Sequence, residues 1–162
     1  MIVVVMGVAG SGKTTVGTML AGALGCAFLD ADSLHPATNI EKMRRGIPLT
    51  DADRRPWLAA VHGGIRESFG RSQDLVVACS ALKQEYRAVL ADGVPITWIY
   101  LKGSETLFRS RLGDREGHFV PVALLDSQLR ALEEPSGAIV VDAARPVAEI
   151  VRQVLPRLSA NN

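Results

Sequence analysis

The sequence predicts an α/β domain with a central five-stranded parallel sheet and helices on both faces. Short apolar segments alternate along the chain with segments of helical periodicity, which is typical of successive βαβ units. A glycine-rich turn follows the first apolar segment at once. The 162 residues suffice for one domain with a proper core and are too few for two ordinary ones. We therefore expect a single domain over residues 1–162.

The first third of the chain contains two predicted strands and two predicted helices. Residues 2–6 are apolar at every position, which favours a central parallel strand that is covered on both faces. Apolar residues then recur at helical spacing until Gly25. The other predicted elements of this third are a helix over 13–25, a strand over 27–30 and a helix over 39–45 that stops at Gly46.

A long helix is predicted to begin after Thr50. Thr50 is a suitable N-cap, and Asp51 and Asp53 place negative charge in the first turn, where the helix dipole favours it. An apolar stripe on this helix is expected to face the core, with Trp57 as its largest member. The stripe consists of Trp57, Leu58, Val61, Ile65 and Phe69.

The remaining chain continues the alternation of strands and helices. The predicted strands cover 75–79, 96–101 and 138–141, and the predicted helices cover 80–90, 106–112, 122–132 and 147–158. Residues 113–120 are polar and charged without periodicity, and Pro121 suits the first turn of the next helix. We therefore expect a short lid at about 113–121.

Charge and cysteine usage exclude several classes of protein. The net charge of +1 argues against a nucleic-acid binder with a basic surface. The apolar N-terminus lacks a basic flank and is cut by Gly7, far short of a membrane span. Cys26 and Cys79 show no metal-ligand spacing and are expected to be reduced thiols of a cytoplasmic protein.

The strongest motif is a phosphate-binding loop. Residues 7–14 match G-x-x-x-x-G-K-[ST] at each fixed position, between a buried strand and an amphipathic helix as the motif requires. Glycines let backbone N–H groups approach the phosphates of ATP, Lys13 can bridge the β- and γ-phosphates, and the Thr14 hydroxyl can ligate Mg²⁺. The predicted nucleotide-binding residues of this loop are Gly7, Val8, Ala9, Gly10, Ser11, Gly12, Lys13, Thr14 and Thr15.

A nucleotide site alone does not define an enzyme. The chain has no N-K-x-D segment, which argues against a GTPase switch, and no mid-sheet apolar run that ends in Asp or Glu-Glu, which argues against a larger assembly ATPase. A small-metabolite kinase fits better because an acceptor site and a lid are predicted. A non-catalytic nucleotide-binding module remains the alternative from another class.

The acceptor site is predicted at Asp30 and Asp32, which close the second strand. In an extended segment these two side chains would face the same way, into the crevice beyond the carboxyl end of the strand. We assign Asp30 to the Mg²⁺ side and Asp32 to the hydroxyl of the acceptor, whose proton it would accept. The alternative is that one Asp caps a helix and the other lies on the surface.

Much of the chain resembles the gluconate kinases (gluconokinases), P-loop kinases related to shikimate kinase. The segments that carry the resemblance are 28–36, Asn39, Lys42-Met43, Gly46, 48–49, Asp51, 53–54, 56–58, 79–83, 86–87, 100–103, 117–119, 127–128 and 132–135. The resemblance implies phosphorylation of D-gluconate by ATP to give 6-phosphogluconate and ADP, and it implies a homodimer. Shikimate or a nucleoside monophosphate is the alternative acceptor.

Gluconate requires a cationic anchor for its carboxylate and hydrogen-bonding groups for its hydroxyls. Four cations lie at positions that match the family, and the sequence does not choose among them: Lys42, Arg54, Lys83 and Arg87. The neutral candidates at such positions are His35, Asn39 and Gln128.

The lid and the last strand supply the remaining candidates. Arg115 is predicted to contact the transferred phosphoryl group, and Arg111 to pack on adenine. The alternative is a helix end that carries arginines to suit its dipole. The resemblance, together with their position after the last strand, implies that residues 142–146, including Pro146, line the adenine pocket through backbone contacts.

Overall fold

The chain folds around a five-stranded parallel sheet, as the alternating pattern predicted. The computed structural model describes residues 1–113 and 122–159. The strands are β1 (Ile2–Met6), β2 (Ala27–Asp30), β3 (Leu75–Ala78), β4 (Ile96–Lys102) and β5 (Ile139–Asp142). Their spatial order is β2-β3-β1-β4-β5, so β1 lies at the centre of the sheet.

Helices cover both faces of this sheet. They are α1 (Lys13–Leu24), α2 (Ala37–Arg44), α3 (Asp51–Gly70), α4 (Gln84–Leu90), α5 (Glu105–Gly113), α6 (Val122–Ala131) and α7 (Val147–Ser159). The alternation of side chains along β1 creates two cores. Val3 and Val5 pack with residues of α1 and α7, whereas Val4 packs with residues of α3 and α4.

The strand register brings the carboxyl ends of β1, β2 and β3 to one edge of the sheet. Val5 of β1 and Asp30 of β2 both pair with Ala78 of β3, and Met6 pairs with Tyr100 of β4. The segments that follow β1, β2 and β3 therefore leave the sheet side by side. This arrangement positions the functional site, because ligands of parallel sheets bind at the carboxyl ends of the strands.

The predicted start of α3 is confirmed. The Thr50 hydroxyl accepts a hydrogen bond from the Asp53 N–H at 3.1 Å, and the Asp53 carboxylate accepts one from the Thr50 N–H at 2.9 Å. This reciprocal capping box satisfies two donors that the first helical turn would leave unpaired. In the described part of the chain, no helix is both long and apolar enough to cross a bilayer.

Several local predictions were wrong. The helix predicted over 80–90 begins only at Gln84, since Ala81 has a φ of 45° that an α-helix does not accept. Phe69 is 43% exposed rather than in the core and lies in the last turn of α3. Gly113 belongs to α5 rather than to a loop. The remainder of the predicted lid, 114–121, lies outside the described residues.

Candidate active site

A crevice of about 670 Å³ opens at the carboxyl edge of the sheet. It lies between the loop after β1, the segment after β2, the start of α3 and helix α6. Among its lining residues are Gly10, Gly12, Lys13, Thr14, Thr15, Asp30, Asp32, His35, Leu49, Arg54, Trp57 and Gln128. The phosphate loop and the predicted acceptor acids therefore share one cavity.

The glycines of the phosphate loop adopt the backbone conformations that its motif predicted. Gly10 has a φ of 78° and Gly12 a φ of 94°, a region that side chains disfavour. A Cβ added at Gly10 would also lie 2.8 Å from the carbonyl oxygen of Phe108. Lys13 closes the loop by donating to the Val8 carbonyl at 2.9 Å. The loop is thus a glycine-rich backbone turn, or cradle, of the kind that binds phosphates through its N–H groups.

Thr14 and Asp30 form an oxygen pair beside this cradle. The Thr14 hydroxyl donates to Asp30 Oδ2 at 2.9 Å, and both residues line the crevice. Hydroxyl and carboxylate oxygens suit Mg²⁺, which proteins bind through one or two such groups together with substrate phosphates. The donor set fits the predicted metal position.

Asp32 enters the crevice from a 3₁₀ turn over Ala31–Leu34, not from an extended segment as predicted. Asp30 caps this turn, because its Oδ1 accepts the N–H of Asp32 at 3.0 Å. Asp30 therefore both caps a helical turn and contacts Thr14. The helix-cap interpretation and the predicted position on the Mg²⁺ side are thus compatible for this residue.

The charges of Asp30 and Asp32 act on the thiol of Cys79. It is fully buried at the end of β3, and burial, together with the charges of Asp32 and Asp30, raises its pKa to about 12. The thiol is therefore protonated and unreactive at neutral pH. Cys79 is therefore not a candidate for the proton transfer, and Asp32 stays the predicted residue for it.

His35 forms part of the crevice wall with Trp57. The indole is 1% exposed, as predicted for a core residue, and its Nε1 donates to the Ala31 carbonyl at 2.7 Å. Asn39 is buried beside them, where its amide nitrogen lies 3.3 Å from His35 Nδ1 and donates to the Asp53 carbonyl at 2.9 Å. Since Asn39 supplies the proton, Nδ1 is the acceptor and Nε2 carries the hydrogen of the neutral ring.

The four candidate cations occupy different environments. Lys42 donates to both carboxylate oxygens of Asp53 at 2.8 and 2.9 Å, and Lys83 donates to both oxygens of Asp51 at 2.9 and 3.0 Å. Arg87 is only 5% exposed and donates to the carbonyls of residues 81 and 82 and to the side chain of residue 84. These three, like Asn39, are absent from the described crevice lining.

Arg54 is the candidate cation that lines the crevice. Its Nη1 donates to the Leu49 carbonyl at 2.7 Å and to the Tyr86 hydroxyl at 3.3 Å, and its guanidinium lies 5.6 Å from the centre of the Tyr86 ring. Among the described residues, both of its hydrogen bonds use Nη1. Nη2 and Nε are therefore available to a ligand.

Gln128 joins helix α6 to the phosphate loop. Its Oε1 accepts the N–H of Ala9 at 2.7 Å, and its side chain lines the crevice. The sequence predicted a contact with the acceptor, and the structure shows a contact with the loop. Gln128 thus lies where the nucleotide and the acceptor would meet.

A smaller pocket of about 110 Å³ adjoins the other side of the phosphate loop. Arg111 lines it and donates to the carbonyls of Ala143 at 2.8 Å and Ser11 at 3.4 Å. The predicted adenine segment contributes Ala143 and Arg145 to its lining, whereas Pro146 is absent from the described lining.

Asp51 was predicted only as a helix-start charge and Tyr86 had no predicted role, although both lie in segments that match the family. Tyr86 and Asp51 contact each other, and Tyr86 also contacts Arg54. In the sequence, only their positions within the matching segments could have pointed to a role near Arg54. The predicted contact of Arg115 with the phosphoryl group lies outside the described residues.

Comparisons with known proteins place this site in context. A family model described as an AAA domain matches residues 2–135. A gluconokinase of Gluconobacter oxydans is 52% identical over 133 residues, which cover 82% of this chain and 75% of that protein. A solved gluconokinase from Sinorhizobium meliloti is 47% identical with a TM-score of 0.86, covering 98% of this chain and 93% of its own. A solved sugar kinase from Janibacter sp. is 42% identical with a TM-score of 0.91, covering 98% and 94% of the two chains.

Proposed function

Because this chain belongs to the gluconokinase family of P-loop kinases, we propose that its crevice transfers the γ-phosphoryl group of ATP to the 6-hydroxyl of D-gluconate. The products are 6-phosphogluconate and ADP. The observation that carries this function is the presence of Arg54 and Asp32 in one crevice with the phosphate loop. The reaction needs three parts: a cation that binds the substrate carboxylate, a group that accepts the hydroxyl proton, and a loop that binds the phosphates.

The phosphate loop holds the triphosphate of ATP. Its N–H groups and the N-terminus of α1 stabilise the phosphate oxygens, and Lys13 balances the charge that develops on the transferred group. Thr14 and Asp30 are the residues that would hold Mg²⁺, which when bound neutralises charge on the β- and γ-phosphates. Gln128 orients the loop through the Ala9 N–H.

Asp32 accepts the proton of the attacking hydroxyl. The bond between the gluconate 6-oxygen and the γ-phosphorus forms while the bond from that phosphorus to the β,γ-bridging oxygen breaks, and ADP leaves. Asp30 is assigned to the Mg²⁺ side, where its Oδ2 accepts a hydrogen bond from the Thr14 hydroxyl. Asp32 therefore has the general-base role.

Arg54 anchors the carboxylate at the other end of gluconate. Its unused Nη2 and Nε form the planar fork that a carboxylate accepts in bidentate fashion. Burial, together with the charge of Arg54, lowers the pKa of His35. As a neutral ring, His35 offers its Nε2–H to a hydroxyl of the substrate chain. Among the other candidates, Asn39 supports His35 by its contact with Nδ1, and Lys42 and Lys83 pair with acids in the first turn of α3.

The function is tested by product analysis with purified protein. ADP release is measured with gluconate, shikimate and AMP as acceptors, and the phosphorylated product is assigned by phosphorus NMR. We expect turnover with gluconate and a primary phosphate ester. Stimulation by shikimate or AMP without stimulation by gluconate would contradict the acceptor. Lys13→Ala distinguishes a non-catalytic module, because a kinase loses turnover in this variant.

Assembly and location complete the proposal. We propose one kinase domain over residues 1–162 that acts as a homodimer in the cytoplasm. Cys26 and Cys79 are both free thiols, which agrees with a reducing compartment. Light scattering during gel filtration tests the dimer, and a monomeric mass at assay concentration would contradict it.

A further inference from the structure

We propose that Tyr86 is a positioning residue which, with Asp51 and Lys83, fixes the guanidinium of Arg54 toward the crevice and thereby strengthens binding of acid substrates. The inference rests on the proposed function, since it requires Arg54 to be the carboxylate anchor. It assigns a role to three side chains that do not line the crevice.

The hydrogen bonds of this group can run in one direction only. A guanidinium has no acceptor, so Arg54 Nη1 must donate to the Tyr86 oxygen. The Tyr86 hydroxyl must then donate to Asp51 Oδ1, which is its other partner. Lys83 donates to the same carboxylate. The chain of donors therefore begins at the crevice and ends at an ionised Asp51.

We call Arg54, Tyr86, Asp51 and Lys83, with the hydrogen bonds that join them, the relay. The charges of its members favour that direction. Hydrogen bonds from Tyr86 and Lys83 hold the pKa of Asp51 below its usual value, and burial with the bond to Asp51 raises the pKa of Tyr86. Tyr86 is therefore a protonated donor to a carboxylate at neutral pH. A phenol that donates to a carboxylate becomes a better acceptor, which strengthens its bond to Arg54.

The relay also constrains the rotation of the anchor. Asp51 and Arg54 lie three residues apart on α3, and Tyr86 on α4 connects the two. Both hydrogens of Arg54 Nη1 are taken, by Tyr86 and by the Leu49 carbonyl. The fork formed by Nη2 and Nε is then held in one orientation before substrate arrives. Less side-chain entropy is lost on binding, so affinity for a carboxylate rises.

A structural role alone does not account for this arrangement. The Lys83–Asp51 ion pair is partly exposed, with 28% and 50% of the two side chains accessible, and such pairs contribute little to folding stability. The Tyr86 ring is 3% exposed and packs in the core, whereas its hydroxyl points to the relay. Removal of the hydroxyl alone should therefore change substrate binding more than stability.

The experiment is a double-mutant cycle with kinetic readouts. Tyr86→Phe removes the hydroxyl and keeps the ring, Arg54→Met removes the anchor, and a third variant combines both. Tyr100→Phe is the matched control, because Tyr100 is also buried, at 4% exposure, and is absent from the described crevice lining. The KM for gluconate, the KM for ATP, kcat and the melting temperature are measured for each protein.

We expect Tyr86→Phe to raise the gluconate KM by about tenfold, as for loss of one hydrogen bond to a charged group, with a much smaller effect on the ATP KM and kcat. Tyr100→Phe should leave all kinetic values near wild type. In the Arg54→Met background, Tyr86→Phe should add nothing, since a residue that acts through Arg54 has no effect once Arg54 is gone.

Three results would overturn the inference: an unchanged gluconate KM in Tyr86→Phe, equal increases in the KM for gluconate and ATP, or additive effects in the double variant. If Tyr86→Phe folds poorly, Asp51→Asn weakens the same relay from its exposed end, and an unchanged gluconate KM in that variant also overturns it. Absence of gluconate turnover in the wild-type protein instead refutes the proposed function.

Discussion

His35 lies nearly flat against Trp57, with ring centroids 4.4 Å apart and planes inclined by 11°. The indole is itself buried and donates to the Ala31 carbonyl, so the imidazole packs against a ring that a hydrogen bond orients. Burial, with the charge of Arg54, lowers the pKa of His35 from 6.5 to about 4. The ring is therefore neutral when the enzyme acts near pH 7.

This lowered pKa predicts a pH dependence of stability. Between the unfolded pKa of 6.5 and the folded pKa of about 4, the unfolded chain binds the His35 proton and the folded chain does not. The His35 contribution to stability is complete above that window and is lost as the pH falls through it. His35→Gln should lose less unfolding free energy than wild type between about pH 7 and about pH 4.5, as measured by urea denaturation.

The ion pair of Asp53 and Lys42 does not obscure this measurement. Hydrogen bonds from Lys42 and Thr50 lower the pKa of Asp53 from 3.8 to about 2, so its contribution is lost only below the His35 window. Parallel stability curves for wild type and His35→Gln would contradict the assignment.

Replacement of Asp32 should separate chemistry from nucleotide binding. Asp32→Asn keeps the shape of the side chain and removes the proton acceptor, so kcat should fall by about 10² to 10⁴. The ATP dissociation constant, measured by calorimetry, should stay within about threefold, because the loop contacts persist. Asp92→Asn, an exposed site after α4, is the control and should have wild-type kcat. Normal turnover in Asp32→Asn would remove this residue from the mechanism.

Replacement of Arg54 should separate the two substrates. Arg54→Met should raise the gluconate KM by about 100-fold or more, because a bidentate bond to a carboxylate is lost, with little change in the ATP KM. Arg55 is its exposed neighbour on α3, and Arg55→Met is the matched control. Equal KM values for the two variants would show that another cation holds the carboxylate.

Two glycine substitutions should affect different properties: Gly10→Ala should weaken ATP binding, and Gly22→Ala should raise folding stability. Gly10→Ala places a Cβ 2.8 Å from the Phe108 carbonyl at a φ of 78°, so it should distort the phosphate loop and weaken ATP binding by at least about tenfold. Gly22→Ala meets no atom within 4 Å inside α1 and should stabilise the fold by about 0.5–1 kcal/mol. Calorimetry and thermal unfolding measure both effects. Unchanged ATP affinity in Gly10→Ala would argue against the cradle.

Arg115 carries a prediction that comes from the sequence alone. If it contacts the transferred phosphoryl group, Arg115→Ala should lower kcat by about 10³ while ATP binding is largely retained. Arg130→Ala, an exposed site on α6, is the control. Wild-type kcat in Arg115→Ala would exclude this contact.

The sheet and the phosphate loop were predictable because their signals lie in contiguous residues. The uniform apolar run of β1 indicates burial on both faces, and the glycines of residues 7–14 indicate the backbone conformation of the loop. The capping box at Thr50 was likewise local, since both partners lie within one turn. The 3₁₀ turn that carries Asp32 was missed, because four residues are too few to show a period.

The candidate site was predicted as a set of residues but not as a division of roles. Lys42, Arg54, Lys83 and Arg87 appeared equivalent, since each is a cation in a matching segment. Their roles depend on partners that are distant in sequence: Asp51 lies 32 residues before Lys83, and Tyr86 lies 32 residues after Arg54.

By itself, the sequence determined the parallel sheet and the phosphate cradle, because hydrophobic period and backbone conformation are properties of neighbouring residues. The family followed from resemblance to known sequences, over segments spread along the chain. Only the tertiary structure decided that Arg54 faces the crevice while the other three cations are engaged elsewhere. Ion pairs and hydrogen bonds between α3 and α4 form only after the helices pack, and this packing leaves Arg54 with donors for a substrate.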